Sequence, residues 1–258
     1  MDRAAFFASL RRRDSGIFGT RLTQPQVDGM EAILDAARWY RLDDPRHVAN
    51  VLAQVYHETG GYMSPIKETV HPGHRDRTPS DATVIARLDR AYARGQLPWV
   101  SAPYWRSGWF GRGQIQITHR ANYATMGERL DVDLIGNPDL ALDPEISARI
   151  AVIGMADGMF RPGNRLDAFF NEDTNDVRGA RRIVNGPDGT DGKVSGHHNA
   201  FLAALRAGGW ALPVEPGPPQ PTPDDDARDA EALLAYISRL IANHKGAGDA
   251  DSALGVRV

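Results

Sequence analysis

The chain has 258 residues, 41% of them hydrophobic and 24% charged, with a formal net charge of −3. That balance is ordinary for a globular protein with one substantial domain and an appendage, and it carries no electrostatic signature of a nucleic-acid binder. No cysteine is present, which excludes disulfides, thiol nucleophiles and thiolate metal sites but fixes no redox compartment.

The opening "MDRAAFFASLRRRDSG" reads as a first amphipathic helix. A secretory signal would place its basic residues before an apolar run of roughly 7–15 residues, and here the arginines follow a short one. No stretch approaches the roughly 18 apolar residues of a membrane span. The expectation is a protein made in the cytoplasm, without stable membrane insertion, that needs something else to carry it outside. Segments 25–41, 45–58, 80–95, 144–160 and 196–207 all place apolar residues at helical spacing. "GQIQIT" (113–118) is the best strand candidate, so residues 1–212 are expected to form one mainly α domain. "PVEPGPPQPTP" (213–223) holds six prolines and reads as an extended linker. Residues 224–258 then begin as an acid-started helix striped by Leu233, Leu234, Ile237, Leu240 and Ile241. Folding back, self-pairing and wall binding all remain open for that stripe. After residue 212, eight acids against four bases give −4, which leaves residues 1–212 at +1.

The first chemistry-bearing stretch is "HETGGYMSPIKE" (57–68). The helix entering it has Asp44 as a natural N-cap, Pro45 at the first position, and Gly60 and Gly61 as a stop. Val48, Val51, Leu52 and Val55 define its buried face, and Glu58 continues that face. Burial and the negative end of the helix dipole both disfavour a charged carboxylate there, as a general acid working near neutrality requires. Glu68 follows after a turn-forming stretch that can bring it back opposite Glu58. Paired carboxyls across a cleft are the equipment of a glycosidase: a gap of roughly 6.5–9.5 Å gives inversion and roughly 5–5.5 Å gives retention. Spacing alone does not choose between them. A zinc reading is weak, because "HETGG" has Gly61 where HExxH needs its second histidine, and Pro72 and Gly73 break the spacing of His71 and His74.

The second stretch is "SGWFGRGQIQITHRANY" (107–123). Its glycines allow close backbone approach to a ligand, and Trp105, Trp109 and Phe110 offer apolar faces of the kind that stack on sugars. Gln114, Gln116, Thr118 and Asn122 supply neutral groups suited to hydroxyl and acetamido partners.

Together these stretches resemble glycoside hydrolase family 19, the chitinase-like enzymes that include many bacteriophage endolysins. "AQVYHETGG" resembles its first-glutamate motif and "FGRGQIQITHRANY" its second signature. "LIGNPDLAL" (134–142) and "ARRIVNGPDGTDG" (180–192) resemble later segments, with Pro187 departing from a family glycine. The resemblance runs from about residue 45 to 207. It implies a lysozyme-like, two-lobed helical fold and an inverting mechanism with no metal or organic cofactor. By position, Glu58 aligns with the general acid, Glu68 with the general base, and Thr118 with the residue that holds the attacking water. Gln116, Asn122 and Asn185 match cleft-lining polar positions, and Trp109 and His57 complete the candidate substrate-binding set. The implied substrate is a β-1,4-linked aminosugar polymer. The absence of cysteine and of an export signal, with the short spacing between the glutamates, favours peptidoglycan glycan strands over chitin oligomers. The expectation is therefore a monomeric endolysin released to the wall through a holin-like export partner. The alternatives are a strict chitinase and a non-catalytic wall-binding or phage structural protein.

Overall fold

Short polar caps set where the helices begin. The computed structural model describes residues 1–71 and 73–210; the linker expected over 213–223 and the helix expected over 224–258 lie outside the described residues. Helix α1 (Arg3–Leu10) starts at Asp2, whose carboxylate accepts the Ala5 N–H at 3.0 Å. In α2 (Gln24–Trp39) the Gln26 side chain reaches back to accept the Thr23 N–H at 2.9 Å. Helix α3 (Pro45–Glu58) has the expected Asp44 cap, which accepts the Arg46 N–H at 2.8 Å. Two-residue strand β1 (Ile66–Lys67) precedes α4 (Asp81–Ala93), and strand β2 (Arg112–Gly113) precedes α5 (Arg120–Leu130). Helix α6 (Pro144–Ala156) follows its own Asp143 cap, and α7 (Leu166–Phe169) and α8 (Asp191–Ala207) complete the body.

Every residue from Val48 to Val55 is buried, so α3 is an interior helix and not the one-faced helix that its valine spacing implies. It is packed most heavily against α8, with α2 and α6 beside it. One large apolar cluster joins residues of α1, α2, α3, α6 and α8. Each fully buried Leu, Val or Phe in it contributes about 1.5–3 kcal/mol. Two smaller clusters lie apart from it. One gathers Tyr123 and Met126 of α5 with Leu134, Ala141 and Ile150, and the other packs Val84 and Leu88 of α4 against Trp105 and Phe110. The fold is mainly α, as expected.

Three local expectations change. "GQIQIT" is not a strand over its length: Arg112–Gly113 pairs antiparallel with Ile66–Lys67, and Gln114–Gln116 form a tight turn that returns Ile117 to Arg112. The alternation that looked like one pleated face instead sends Ile115 and Ile117 into different apolar clusters. Helix α5 went unread, because only Tyr123, Met126 and Gly127 of its eleven residues are buried. Helix α8 starts at Asp191, five residues before the apolar spacing becomes visible, with Asp191 in its first turn.

Candidate active site

Glu58 is the last residue of α3, and the chain turns there for a local reason. The Thr59 hydroxyl donates to the Val55 carbonyl at 2.7 Å, and Gly60 and Gly61 take left-handed conformations. The Glu58 side chain is 28% exposed and opens into a cleft of about 430 Å³. Gln116 and Thr118 from the turn after β2, Asn122 from α5 and Asn185 share the lining, with Met126, Met159 and Phe160 as apolar wall. Four of the sequence candidates therefore meet around the Glu58 carboxyl group.

What holds Glu58 was not legible in the sequence. Arg181, 4% exposed, donates from Nη1 to Glu58 Oε1 at 2.6 Å and to Gln54 Oε1 at 2.7 Å. Its other edge grips Asp188 Oδ2 at 3.1 and 2.7 Å. Gln54, one turn before Glu58 on α3, also donates to the Ala180 carbonyl at 3.0 Å, which anchors the arginine segment to the helix. Hydrogen bonds from Arg181 hold the Asp188 carboxyl well below the usual carboxylate range. A buried guanidinium in contact with Glu58 thus fixes the orientation of its carboxyl group. Among the described residues no hydrogen bond falls on Glu58 Oε2, which leaves that oxygen without a protein partner.

Glu68 follows β1 and does not line this cleft directly. Its Oε2 accepts the Gly111 N–H at 2.8 Å and its Oε1 accepts the Tyr104 hydroxyl at 2.7 Å. Gly111 lies against the Gln116 side chain, since a Cβ at Gly111 would stand 2.3 Å from Gln116 Oε1. Glu68 thus sits behind the cleft edge, separated from Gln116 by a bare glycine. Burial first, then the hydrogen bond to Glu68, pushes the Tyr104 hydroxyl far above its ordinary range, so Tyr104 stays a donor.

Next to Glu68 two buried cations meet two half-exposed carboxylates in an ionic clamp. Lys67 and Arg112, 5% and 2% exposed at their side chains, share the carboxylates of Asp81 and Asp139 in four contacts of 2.6–3.2 Å. This ties the β1–β2 ribbon to the start of α4 and to the 3₁₀ turn Pro138–Leu142. Two residues next to site positions carry backbone strain: Thr69 after Glu68 has φ +72°, and His119 after Thr118 has φ +71°. Such conformations cost about 1–3 kcal/mol each.

Other candidates fall elsewhere. Trp105 and Phe110 are fully buried in the α4 cluster and have no free face for a sugar. Gln114 is fully buried and donates to the Met63 carbonyl at 2.5 Å, so it braces the loop after α3. Trp109 is half-buried edge-on to Tyr123, outside the cleft lining. His57 lines a neighbouring pocket of about 530 Å³ with Tyr56, His197 and Lys193, and Glu58 borders both cavities. Among the described residues no group of three His, Asp or Glu is placed to hold a metal.

Comparisons with known proteins match the same region. Residues 41–157 fit the family model described as chitinase class I. The basic 30 kDa endochitinase of Solanum lycopersicum is 36% identical over 113 residues, which is 42% of this chain and 31% of that protein. An endochitinase of Solanum tuberosum is 38% identical with the same coverage, and chitinase 9 of Oryza sativa subsp. japonica is 34% identical over 109 residues, 42% of this chain and 30% of that protein. The chain thus spans about a third of the length of the curated relatives it matches. Among solved structures, chitinase C from Streptomyces griseus HUT6037 aligns with a TM-score of 0.47 at 20% identity, over 82% of this chain and 77% of that one. Residues 41–157, which hold Glu58 at the mouth of the cleft and both signature stretches, are thus similar to the glycoside hydrolase family described as chitinase class I.

Proposed function

We propose that the chain hydrolyses β-1,4 bonds in the glycan of peptidoglycan by an inverting two-carboxylate mechanism. The observation that carries the reading is Glu58 projecting from a helix end into a cleft whose other polar groups, Gln116, Thr118, Asn122 and Asn185, are neutral. Neutral donors and acceptors suit hydroxyl and acetamido groups, and a lone carboxylate among them suits proton transfer. Arg181 occupies Oε1 and orients the carboxyl. Oε2 carries the proton that passes to the bridging oxygen as the bond to the anomeric carbon breaks.

Glu68 is the base in this scheme. Its two hydrogen bonds, from Tyr104 and Gly111, fix the carboxyl group in place and leave further lone pairs on both oxygens for a water. That water, held with Thr118, loses a proton to Glu68 and attacks from the face opposite the leaving group. Release to the wall through a holin-like partner and action as a monomer belong to the same proposal.

A second reading, chitin as the polymer, is favoured by the plant relatives, which are endochitinases or chitinases by name. Purified peptidoglycan and chitohexaose digested side by side, with mass spectrometry of the products, separate the two. New reducing ends on peptidoglycan support the first reading, and cleavage of chitohexaose alone supports the second. Binding of either polymer without any cleavage would replace both with a wall-binding role.

A further inference from the structure

Glu58 stands between two cavities of different character. On the α5 side the polar lining is uncharged apart from Glu58 itself. On the other side the pocket is lined by Tyr56, His57, His71, Lys193 and His197, and Lys193 is its one fixed cation among the described residues. Lys193 is exposed, lies in the first turn of α8, and makes no ion pair among the described residues. The Nε2 atom of His197 is shielded from solvent there and has no hydrogen-bond partner among the described residues. Burial, then the neighbouring His57 and Lys193 charges, holds the His197 imidazole down at about 4; burial, then Arg181, holds His57 below its ordinary value. Both rings are therefore neutral at pH 7, and each presents an N–H and a lone pair. The carboxylates facing His57 are Glu58 and Asp188, and Arg181 binds both.

We propose that the pocket on the His57 side of Glu58 is a subsite for a carboxylate carried on the 3-O-substituent of a substrate sugar, with Lys193 as its counter-charge and His57 and His197 as hydrogen-bonding partners. Its volume, about 530 Å³, is that of a small-molecule subsite. The inference deepens the peptidoglycan reading and rests on it, because muramic acid carries a lactyl arm at O3 where chitin has a plain hydroxyl. The uncharged cavity on the other side of Glu58 then receives the sugar without that arm, so the two cavities fix which way a strand lies across the acid. Two sources supply the carboxylate: the lactyl arm itself when no peptide is attached, or an acidic residue of the stem peptide it bears.

The test uses the full chain carrying Glu58→Gln to stop turnover, with Lys193 intact, Lys193→Gln or Lys193→Arg. Calorimetry titrates chitohexaose, glycan stripped of its stems, and glycan with its stems. Lys193→Gln is expected to weaken a carboxylate-bearing glycan about tenfold more than chitohexaose, and Lys193→Arg to restore most of that loss. A loss confined to stripped glycan identifies the lactyl carboxylate; one confined to stem-bearing glycan identifies a stem carboxylate. Equal losses on all three ligands, no loss on any, or no binding at all overturns the subsite. Wild-type chain that leaves peptidoglycan uncut, while its binding still depends on Lys193, would sink the hydrolase reading and keep the subsite.

Discussion

The two glutamates are supported in opposite ways. Glu58 ends a helix whose preceding residues, Val48 to Val55, are all buried, and one long-range cation, Arg181, sets its position. Glu68 follows a two-residue strand whose Ile66 lies outside the large apolar cluster, and Lys67, Arg112, Asp81 and Asp139 hold that ribbon by charge. Apolar packing has no direction but tolerates no gap, whereas a buried ion cluster fixes orientation and fails when one partner is lost. A carboxyl at the end of an interior helix and one on an ion-clamped ribbon can be displaced independently.

The largest expected stability effect breaks the clamp. Arg112→Met leaves Lys67 alone with two carboxylates and is expected to cost about 3–5 kcal/mol in urea unfolding. Turnover should fall with it, since β2 carries both Arg112 and Gly113, the pairing partners that hold β1 beside Glu68. On the other side, Arg181→Met is expected to cost about 3 kcal/mol, because Gln54 and Asp188 lose their partner along with Glu58. Its signature is a fall in kcat in the fraction that remains folded; unchanged kcat would show that Glu58 needs no orienting cation.

Acid separates the two regions further. His198, fully buried and stacked on Phe170, has neither ring nitrogen hydrogen-bonded among the described residues, and burial lowers it from 6.5 to about 4. Between those values the unfolded chain binds a proton that the folded chain refuses. Its contribution is therefore full above pH 6.5 and falls by about 3 kcal/mol as pH drops to 4. For Asp139, burial pushes the carboxyl up, but hydrogen bonds and charge from Arg112 and Lys67 outweigh it and hold it low. The clamp's contribution is therefore retained above the ordinary aspartate range and lost only as pH falls below it. His198→Phe should reduce the slope of the stability curve between pH 6.5 and 4, with His197 and His57 keeping the remainder, and leave the lower limb unchanged; an unaltered slope in that window would contradict the role given to His198. The smallest effect is expected from Thr69→Gly, which relieves the left-handed strain beside Glu68. Stability should rise by about 1 kcal/mol while turnover falls, read by thermal melting and initial rates.

Much of the Glu58 side was legible. Asp44, Pro45 and the valine spacing define α3, and the two glycines after it fix where Glu58 emerges. Arg181 was not, because it lies 123 residues from its partner in sequence and a single long-range contact leaves no period to read. The clamp was hidden for the same reason: Lys67 and Asp139 are 72 residues apart. Aromatic side chains in the second signature misled in a different way. Trp105 and Phe110 have the residue types of a sugar platform, yet they fill the small α4 cluster, and residue type carries no information about which face is covered. Gln114 and Gln116 differ only by the turn between them, which buries one and sends the other into the cleft.

In the proposed reaction Glu58 supplies the proton for glycosidic cleavage. The most direct test is the initial rate of reducing-end release from peptidoglycan and chitohexaose by wild type and Glu58→Gln, with melting temperatures measured on the same preparations. The account predicts a loss of about a thousandfold or more for Glu58→Gln on whichever polymer wild type cleaves, with the fold retained. Cleavage by a folded Glu58→Gln variant at a rate near that of wild type would contradict it.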